Sequence, residues 1–279
     1  MHLLTAGDSW TFGSEIRDPS LPDTVSDWDS ENNAYRIPRI WPSLLATKLG
    51  CTDHSNISYP ASSNDRIVRH TISWITEHYL HTKKDTSDLL VVVGFTSPER
   101  KDFYYRDPVE DNHGWTTIWP NQTNHEYHQR GMQAFFDNYR MYLWNEEEYT
   151  NRYVQQVTQL QNFFTVHGIK HYFFQAFYNV DETGIRQWVD SNYINSENEK
   201  MTVGESDPRW YFHYNNQPDG WIWDQVDSER FYGKEQAPHT CHSFITQQGH
   251  DNVITGMHPN AHGHSLWADE LYRCIKDLN

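Results

Sequence analysis

Short apolar runs alternate along the chain with segments whose apolar residues recur every three or four positions. His2 to Ala6 reads as a buried strand that stops at Gly7-Asp8-Ser9. Leu89-Leu-Val-Val-Val93 is continuous, β-branched and bounded by polar residues, which is how a central strand covered on both faces reads. Ile169 to Ala176 predicts a similar strand, and Ser55 to Ser58 a weaker one. Helices are predicted between them. Trp41 to Leu49 has Pro42 in its first turn and Gly50 at its end. Asn64 to Leu80 places Ile67, Thr71, Ile75 and Tyr79 on one face. Tyr149, Tyr153, Val157, Leu160 and Phe164 mark a long amphipathic helix closed by Gly168. Ala261 to Leu278 turns Leu266, Trp267, Leu271, Cys274 and Ile275 inward. This alternation predicts a single α/β domain over residues 1–279, a three-layer α/β/α sandwich with a mainly parallel sheet.

In such folds ligands bind beyond the carboxyl ends of the strands, where Gly7-Asp8-Ser9 and Gly94-Phe95-Thr96 both fall. Two stretches, 99–146 and 178–252, are too long for ordinary connections. They are polar and aromatic, and are expected to be insertions forming a lid or substrate wall over that edge. Aromatic residues make up 15% of the chain, with 12 Trp and 17 Tyr, and many fall in these stretches. Two readings follow: the rings weld long loops to the body, or some line a groove for sugar rings or another flat substrate.

The net charge of −16 argues against nucleic acid or an anionic membrane as a partner. No apolar run approaches the roughly 20 residues that span a bilayer. The opening run has no basic segment before it, so no signal peptide is expected. Cys51, Cys241 and Cys274 are scattered and are read as reduced thiols of a cytoplasmic protein.

A serine hydroxyl becomes a useful nucleophile only when a sharp turn presents it beside a base. Gly7-Asp8-Ser9 supplies such a turn, and His258, in Gly256-Met-His-Pro-Asn260, supplies such a base. Four blocks then occur in order: Gly7-Asp8-Ser9, Asn56 to Asp65 with Pro60-Ala61-Ser62-Ser63, Gly94-Phe95-Thr96-Ser97-Pro98, and His258-Pro259-Asn260. This series resembles the SGNH (GDSL-type) hydrolase family over the whole chain. The resemblance implies a flavodoxin-like sheet, Ser9 as nucleophile, His258 as general base, and an oxyanion hole from Ser9, Ala61 and Thr96, without metal or cofactor. It implies a serine esterase working through an acyl-enzyme. The family covers several ester classes, so the blocks do not name the substrate; the acidity disfavours an interfacial lipase, and the aromatic insertions lead to the expectation of short acyl esters such as O-acetyl groups of a carbohydrate. The wording of blocks two and three, Ser63-Asn-Asp-Arg-Ile-Val68 and Gly94 to Arg100, is also similar to divergent members from tailed bacteriophages, which implies a virion-associated alternative.

The chain departs from the family at three supporting positions. Ala61 stands for a glycine, Thr96 for an asparagine, and Thr255 for the aspartate that precedes the histidine by three residues. Three readings of the last change stay open. Thr255 or a backbone carbonyl orients His258 in a Ser–His dyad, Asp251 substitutes, or the site is degenerate and the protein is a glycan-binding or phage structural module. Plainer roles also exist for single residues. Ser9 could cap a helix, Asn64 and Asp65 could simply start one, and Arg66 and Arg100 could form structural ion pairs rather than bind an acidic substrate group. His258, His262 and His264 do not read as a metal site, because Pro259 and Gly263 break the helical face between them. His264 is expected to pack within the last helix.

Overall fold

The computed structural model describes residues 1–107, 112–118, 133–144, 146–177, 223–234, 240–249, 252–254 and 258–278. The strands are β1 (His2–Ala6), β2 (Asp53–Asn56), β3 (Leu89–Phe95), β4 (Lys101–Asp107), β5 (Asn112–Ile118) and β6 (Lys170–Gln175). The helices used below are α1 (Ser9–Phe12), α2 (Trp41–Lys48), α3 (Asn64–Ile75), α4 (Glu146–Val166), α5 (Cys241–Gln247) and α6 (Ala261–Ile275).

β2, β1, β3 and β6 lie side by side in that order, and every pairing is parallel. Alternation along β3 divides the core. Leu89, Val91, Val93 and Phe95 pack on one face with Ile67, Val68 and Ile75 of α3 and Tyr153, Val157, Leu160 and Phe164 of α4. Leu90 and Val92 face the other side, with Trp41 and Leu45 of α2, Ile245 of α5 and Trp267 and Leu271 of α6. The result is the expected three-layer α/β/α sandwich.

β2 corrects the sequence reading by two residues. It spans Asp53–Asn56 rather than Ser55–Ser58. This is a polar edge strand with no apolar alternation to fix its start, so its limits come from pairing with β1, from His2 against Asp53 to Thr5 against Asn56. The first insertion contains regular structure that the sequence reading missed. β4 and β5 pair antiparallel, Lys101 against Ile118 through Asp107 against Asn112. This hairpin is tied to α3 by Asp102, whose carboxylate accepts from Ser63 Oγ (2.6 Å), Arg69 Nη2 (2.7 Å) and Thr117 Oγ1 (2.7 Å). In the second insertion, α5 and residues 223–234 join the body, with Phe231 bridging to Phe173. Residues 178–222, 235–239, 250 and 251 lie outside the described set, so the expected lid or wall there does too. Cys51, Cys241 and Cys274 are free thiols. Among the described residues no helix is long and apolar enough to cross a membrane.

Gly94 marks how tightly the sheet is covered. A Cβ at this position would lie 2.5 Å from Cζ of Phe174. That ring is fully buried and wedged against Trp41 and Trp267, so it has nowhere to go. Gly94→Ala is expected to destabilise the fold by about 1–3 kcal/mol through overpacking, read as a lowered urea midpoint with an unchanged slope.

Candidate active site

β1 ends at a turn whose geometry comes from Asp8. Its backbone is extended, and its side chain accepts from the Trp10 N–H at 3.0 Å, which caps the short turn α1. The cap is therefore Asp8, not Ser9, which is the first helical residue. The turn closes when Gly13 and Ser14 both donate to the Ser9 carbonyl, at 2.9 and 3.0 Å. Gly7 is needed for this approach, since a Cβ there would sit 2.2 Å from Thr11 Oγ1. Ser9 itself is 8% exposed, and its hydroxyl makes no hydrogen bond among the described residues.

Asp8 also joins the two strand ends that frame the site. Its Oδ2 accepts from Thr96 Oγ1 at 2.6 Å and from Arg100 Nη1 at 3.3 Å. The single hydroxyl proton of Thr96, the residue expected to face an oxyanion, is directed at Asp8. Asn64 holds the Thr96 backbone on both sides, donating to its carbonyl (3.0 Å) and accepting from its N–H (2.8 Å). Asn64 therefore does more than begin a helix; the N-cap of α3 is Ser63. Asp65 likewise accepts from Arg152 (3.0 Å), Gln156 (2.6 Å) and the backbone of Asp102 (2.9 Å). Arg100 pairs with Asp8, the structural ion pair foreseen for it.

Ala61 follows β2 at the same edge, with φ of +59°. This is the left-handed region that glycine occupies freely and alanine only at a cost. The local chain is anchored by Tyr59 N–H to the Gly7 carbonyl (3.2 Å) and by Ser62 Oγ to the Tyr59 carbonyl (2.6 Å).

His258 stands just before α6. Ile254 N–H donates to its carbonyl at 2.7 Å, Val253 pairs with Pro259, and Asn260 caps α6 through the Gly263 N–H at 2.8 Å. Its ring lies 6.4 Å from that of Trp10, the neighbour of Ser9. No hydrogen bond joins His258 to the Ser9 hydroxyl. The His258 Nδ1 is 3.2 Å from Glu15 Oε2. Both atoms are shielded from solvent, and the contact is not an aligned hydrogen bond.

Glu15 was not singled out by the sequence, because the family pattern looks for its acid just before the histidine. The two candidates there, Thr255 and Asp251, lie outside the described residues. Glu15 sits two residues beyond Gly13 at φ of +69°, an unusual conformation for glutamate. Its N–H donates to Asp27 Oδ2 at 2.6 Å, which pins that conformation. A glutamate six residues after the serine was the only signal available, and without the fold nothing pointed it at His258.

His262 is exposed, and His264 is buried in α6, where its Nδ1 accepts from the Trp41 N–H at 3.3 Å. Among the described residues no three His, Cys, Asp or Glu side chains gather as a metal site. Burial, helped by His258, pushes the pKa of His264 down to about 3, and burial takes His171 down to about 4. Burial pushes Glu99, beside Arg100, up to about 7.

A family model described as a family of unknown function, DUF6071, matches residues 20–189. The chain belongs to this family. The matched span includes Ala61, Thr96 and Arg100, whereas Ser9, Glu15 and His258 lie outside it. No curated protein matches the chain. Among solved structures, the chain is similar to a lipolytic G-D-S-L family member from Veillonella parvula, at 11% identity, 99% coverage of both chains and a TM-score of 0.43. It is also similar to a putative G-D-S-L lipolytic protein from Desulfitobacterium hafniense (11% identity, 98% of both chains, TM-score 0.40) and to phospholipase A1 from Streptomyces albidoflavus (10%, 98% of both, 0.38).

Two predictions follow from the local geometry. Ala61→Gly removes a left-handed penalty of about 1–2 kcal/mol and adds back roughly 0.5–1 kcal/mol of chain entropy. Chemical denaturation should therefore find it neutral or more stable than the parent, where most buried-edge glycine substitutions weaken a protein. The second concerns pH. The two buried histidines, with folded pKa values below the ordinary 6.5, stabilise fully above about pH 6.5 and lose that contribution as pH falls toward 4 and then 3. Glu99 has the opposite sign: its contribution is full below 4.5 and is lost as pH rises through about 7. Between pH 5 and 6.5 it offsets one histidine. Glu99→Gln should therefore steepen the loss of stability as pH falls over this range, by roughly 1 kcal/mol per pH unit, measured as urea midpoints across that range.

Proposed function

We propose that the protein is a metal-independent serine esterase in which Ser9 is the nucleophile, His258 the general base and Glu15 the acid that orients the histidine. The observation that carries this reading is the 3.2 Å contact between His258 Nδ1 and Glu15 Oε2, made where the chain leaves the Ser9 turn. A carboxylate on Nδ1 keeps the proton there, leaves Nε2 free to accept from a serine, and stabilises the imidazolium that then forms. The Ser9–His258 hydrogen bond is open in this structure, as such bonds commonly are before substrate binds.

In this mechanism Ser9 Oγ attacks the ester carbonyl as its proton passes to His258 Nε2. The oxyanion is met by the backbone N–H groups of Ser9 and Ala61. His258 returns the proton to the departing alcohol, and water releases the acyl group by the same path in reverse order. Thr96 serves by locking Asp8 and hence the turn, since its hydroxyl proton is already engaged. The ordered blocks that resemble SGNH hydrolases support the same chemistry, and short acyl esters on a carbohydrate are the proposed substrate. One observation favours the second reading, a non-catalytic binding module: the Ser9 hydroxyl and His258 are not hydrogen-bonded.

Fluorophosphonate labelling separates the two. Wild-type protein should be labelled at Ser9, and Ser9→Ala should not. Glu15→Gln should fold normally yet lower kcat/KM for small acetyl esters by about 10²–10⁴-fold, with His258→Ala at least as severe. An unlabelled wild type sinks the esterase reading. An unimpaired Glu15→Gln removes Glu15 from it.

A further inference from the structure

Beside the Ser9 turn lies a surface that the esterase chemistry does not use. Trp28 and Tyr59 are 49% and 46% exposed, large values for aromatic side chains. Their rings meet edge to face at 6.1 Å and an interplanar angle of 80°, forming a corner. Both are tied to the site. Phe12, in the turn that begins with Ser9, contacts Trp28 at 6.3 Å, and Tyr59 N–H bonds to the Gly7 carbonyl. Trp28 follows Asp27, the residue that pins Glu15.

Arg66, on the first turn of α3, lays its guanidinium over the Tyr59 ring at 4.1 Å. It is half-buried, yet among the described residues its guanidinium makes no hydrogen bond and no ion pair. The nearby acid, Asp102, is already engaged by Ser63, Arg69 and Thr117. One turn along the same helix, Arg69 stacks over Trp115 at 3.9 Å, but its charge is answered by Asp102. In a chain with 38 acidic side chains against 22 basic, a partly desolvated arginine that feels Asp102 only at a distance and is hydrogen-bonded to no acid stands out. A guanidinium fork is suited to a carboxylate, which it can grip with two parallel hydrogen bonds. The two aromatic faces supply apolar area of the kind that stacks on flat, C–H-rich rings.

We propose that Trp28, Tyr59 and Arg66 form a binding subsite for a saccharide carrying a carboxylate, with the sugar ring in the aromatic corner and the acid on Arg66. That this saccharide bears the ester cleaved at Ser9 rests on the esterase reading; the binding does not. The net charge of −16 disfavours a polyanion such as nucleic acid, the other common partner of aromatic and arginine surfaces, more than a saccharide with a single carboxylate.

The test uses Ser9→Ala protein, so that no ligand is turned over, on an array of uronic- and sialic-acid oligosaccharides beside their neutral and phosphorylated counterparts. Carboxylated glycans should be retained and the others bound at least about tenfold more weakly. In the same background Arg66→Gln, Tyr59→Ala and Trp28→Ala should each lose about tenfold or more, Arg66→Lys should recover only part, and Arg273→Gln on α6 should change nothing. Circular dichroism and thermal midpoints confirm that each variant is folded. Equal retention of neutral glycans, a preference for phosphate, no retained acidic glycan, or full binding by folded Arg66→Gln each overturns the proposal. Fluorophosphonate labelling of the wild type reports separately on the nucleophile, so failure of one reading is distinguishable from failure of the other.

Discussion

The buried carboxylate of Asp8 is the constraint around which the candidate site is arranged. It stands where β1 ends, fully removed from solvent, and it has three donors: the Trp10 N–H, the Thr96 hydroxyl and the Arg100 guanidinium. The first sets the turn that carries Ser9. The second joins the end of β1 to the end of β3. The third supplies the opposing charge and, through Arg100 Nη1 to the Ser62 carbonyl at 3.2 Å, reaches the segment after β2. Breaking a buried pair of this kind typically costs about 3–5 kcal/mol, because the remaining charge is stranded. Directly to Thr96, 88 residues away, and through Arg100 to Ser62, this side chain ties the end of β1 to the ends of β3 and β2, and the geometry around Ser9 inherits its rigidity from that hub.

In the proposed esterase, a histidine base needs a carboxylate beside its ring. The carboxylate in contact with His258 belongs to Glu15, six residues after Ser9, rather than to the residues just before the histidine. The left-handed backbone of Glu15 and its clamp by Asp27 are the local strain that this placement requires. The same loop continues into Trp28, so one segment both contacts His258 and builds the aromatic surface beside the Ser9 turn.

Much of the scaffold was legible in the sequence for a simple reason. β3 is a run of apolar residues that can be stable only when covered on both faces, and the four-three spacing of α4 leaves it one face to bury. β2 was misplaced because a polar edge strand has no such pattern, and its register is set by its neighbour. The hairpin β4–β5 was missed because its aromatic and charged residues read as loop; what makes it a structural unit is Asp102 bonding across to α3. Their order along the chain was enough to expect Ser9, Ala61 and Thr96 after β1, β2 and β3 and His258 before α6, which is where they stand. Glu15 was not, because its partner lies far away in sequence and adjacency of that kind leaves no local mark.

The sequence by itself determined which segments must be buried, hence the layered α/β architecture, and where a serine and a histidine would stand at its edge. Those are consequences of periodicity and of turn chemistry, which act over a few residues. Only the tertiary structure decided what each polar group near that edge is bonded to. It gave the Thr96 proton to Asp8, set Ala61 in a left-handed turn, aimed Glu15 at His258 and left Arg66 stacked on Tyr59 without an acid. Hydrogen bonds and ion pairs between distant residues depend on positions fixed to within a few tenths of an ångström by the packed core, and no short-range pattern encodes them.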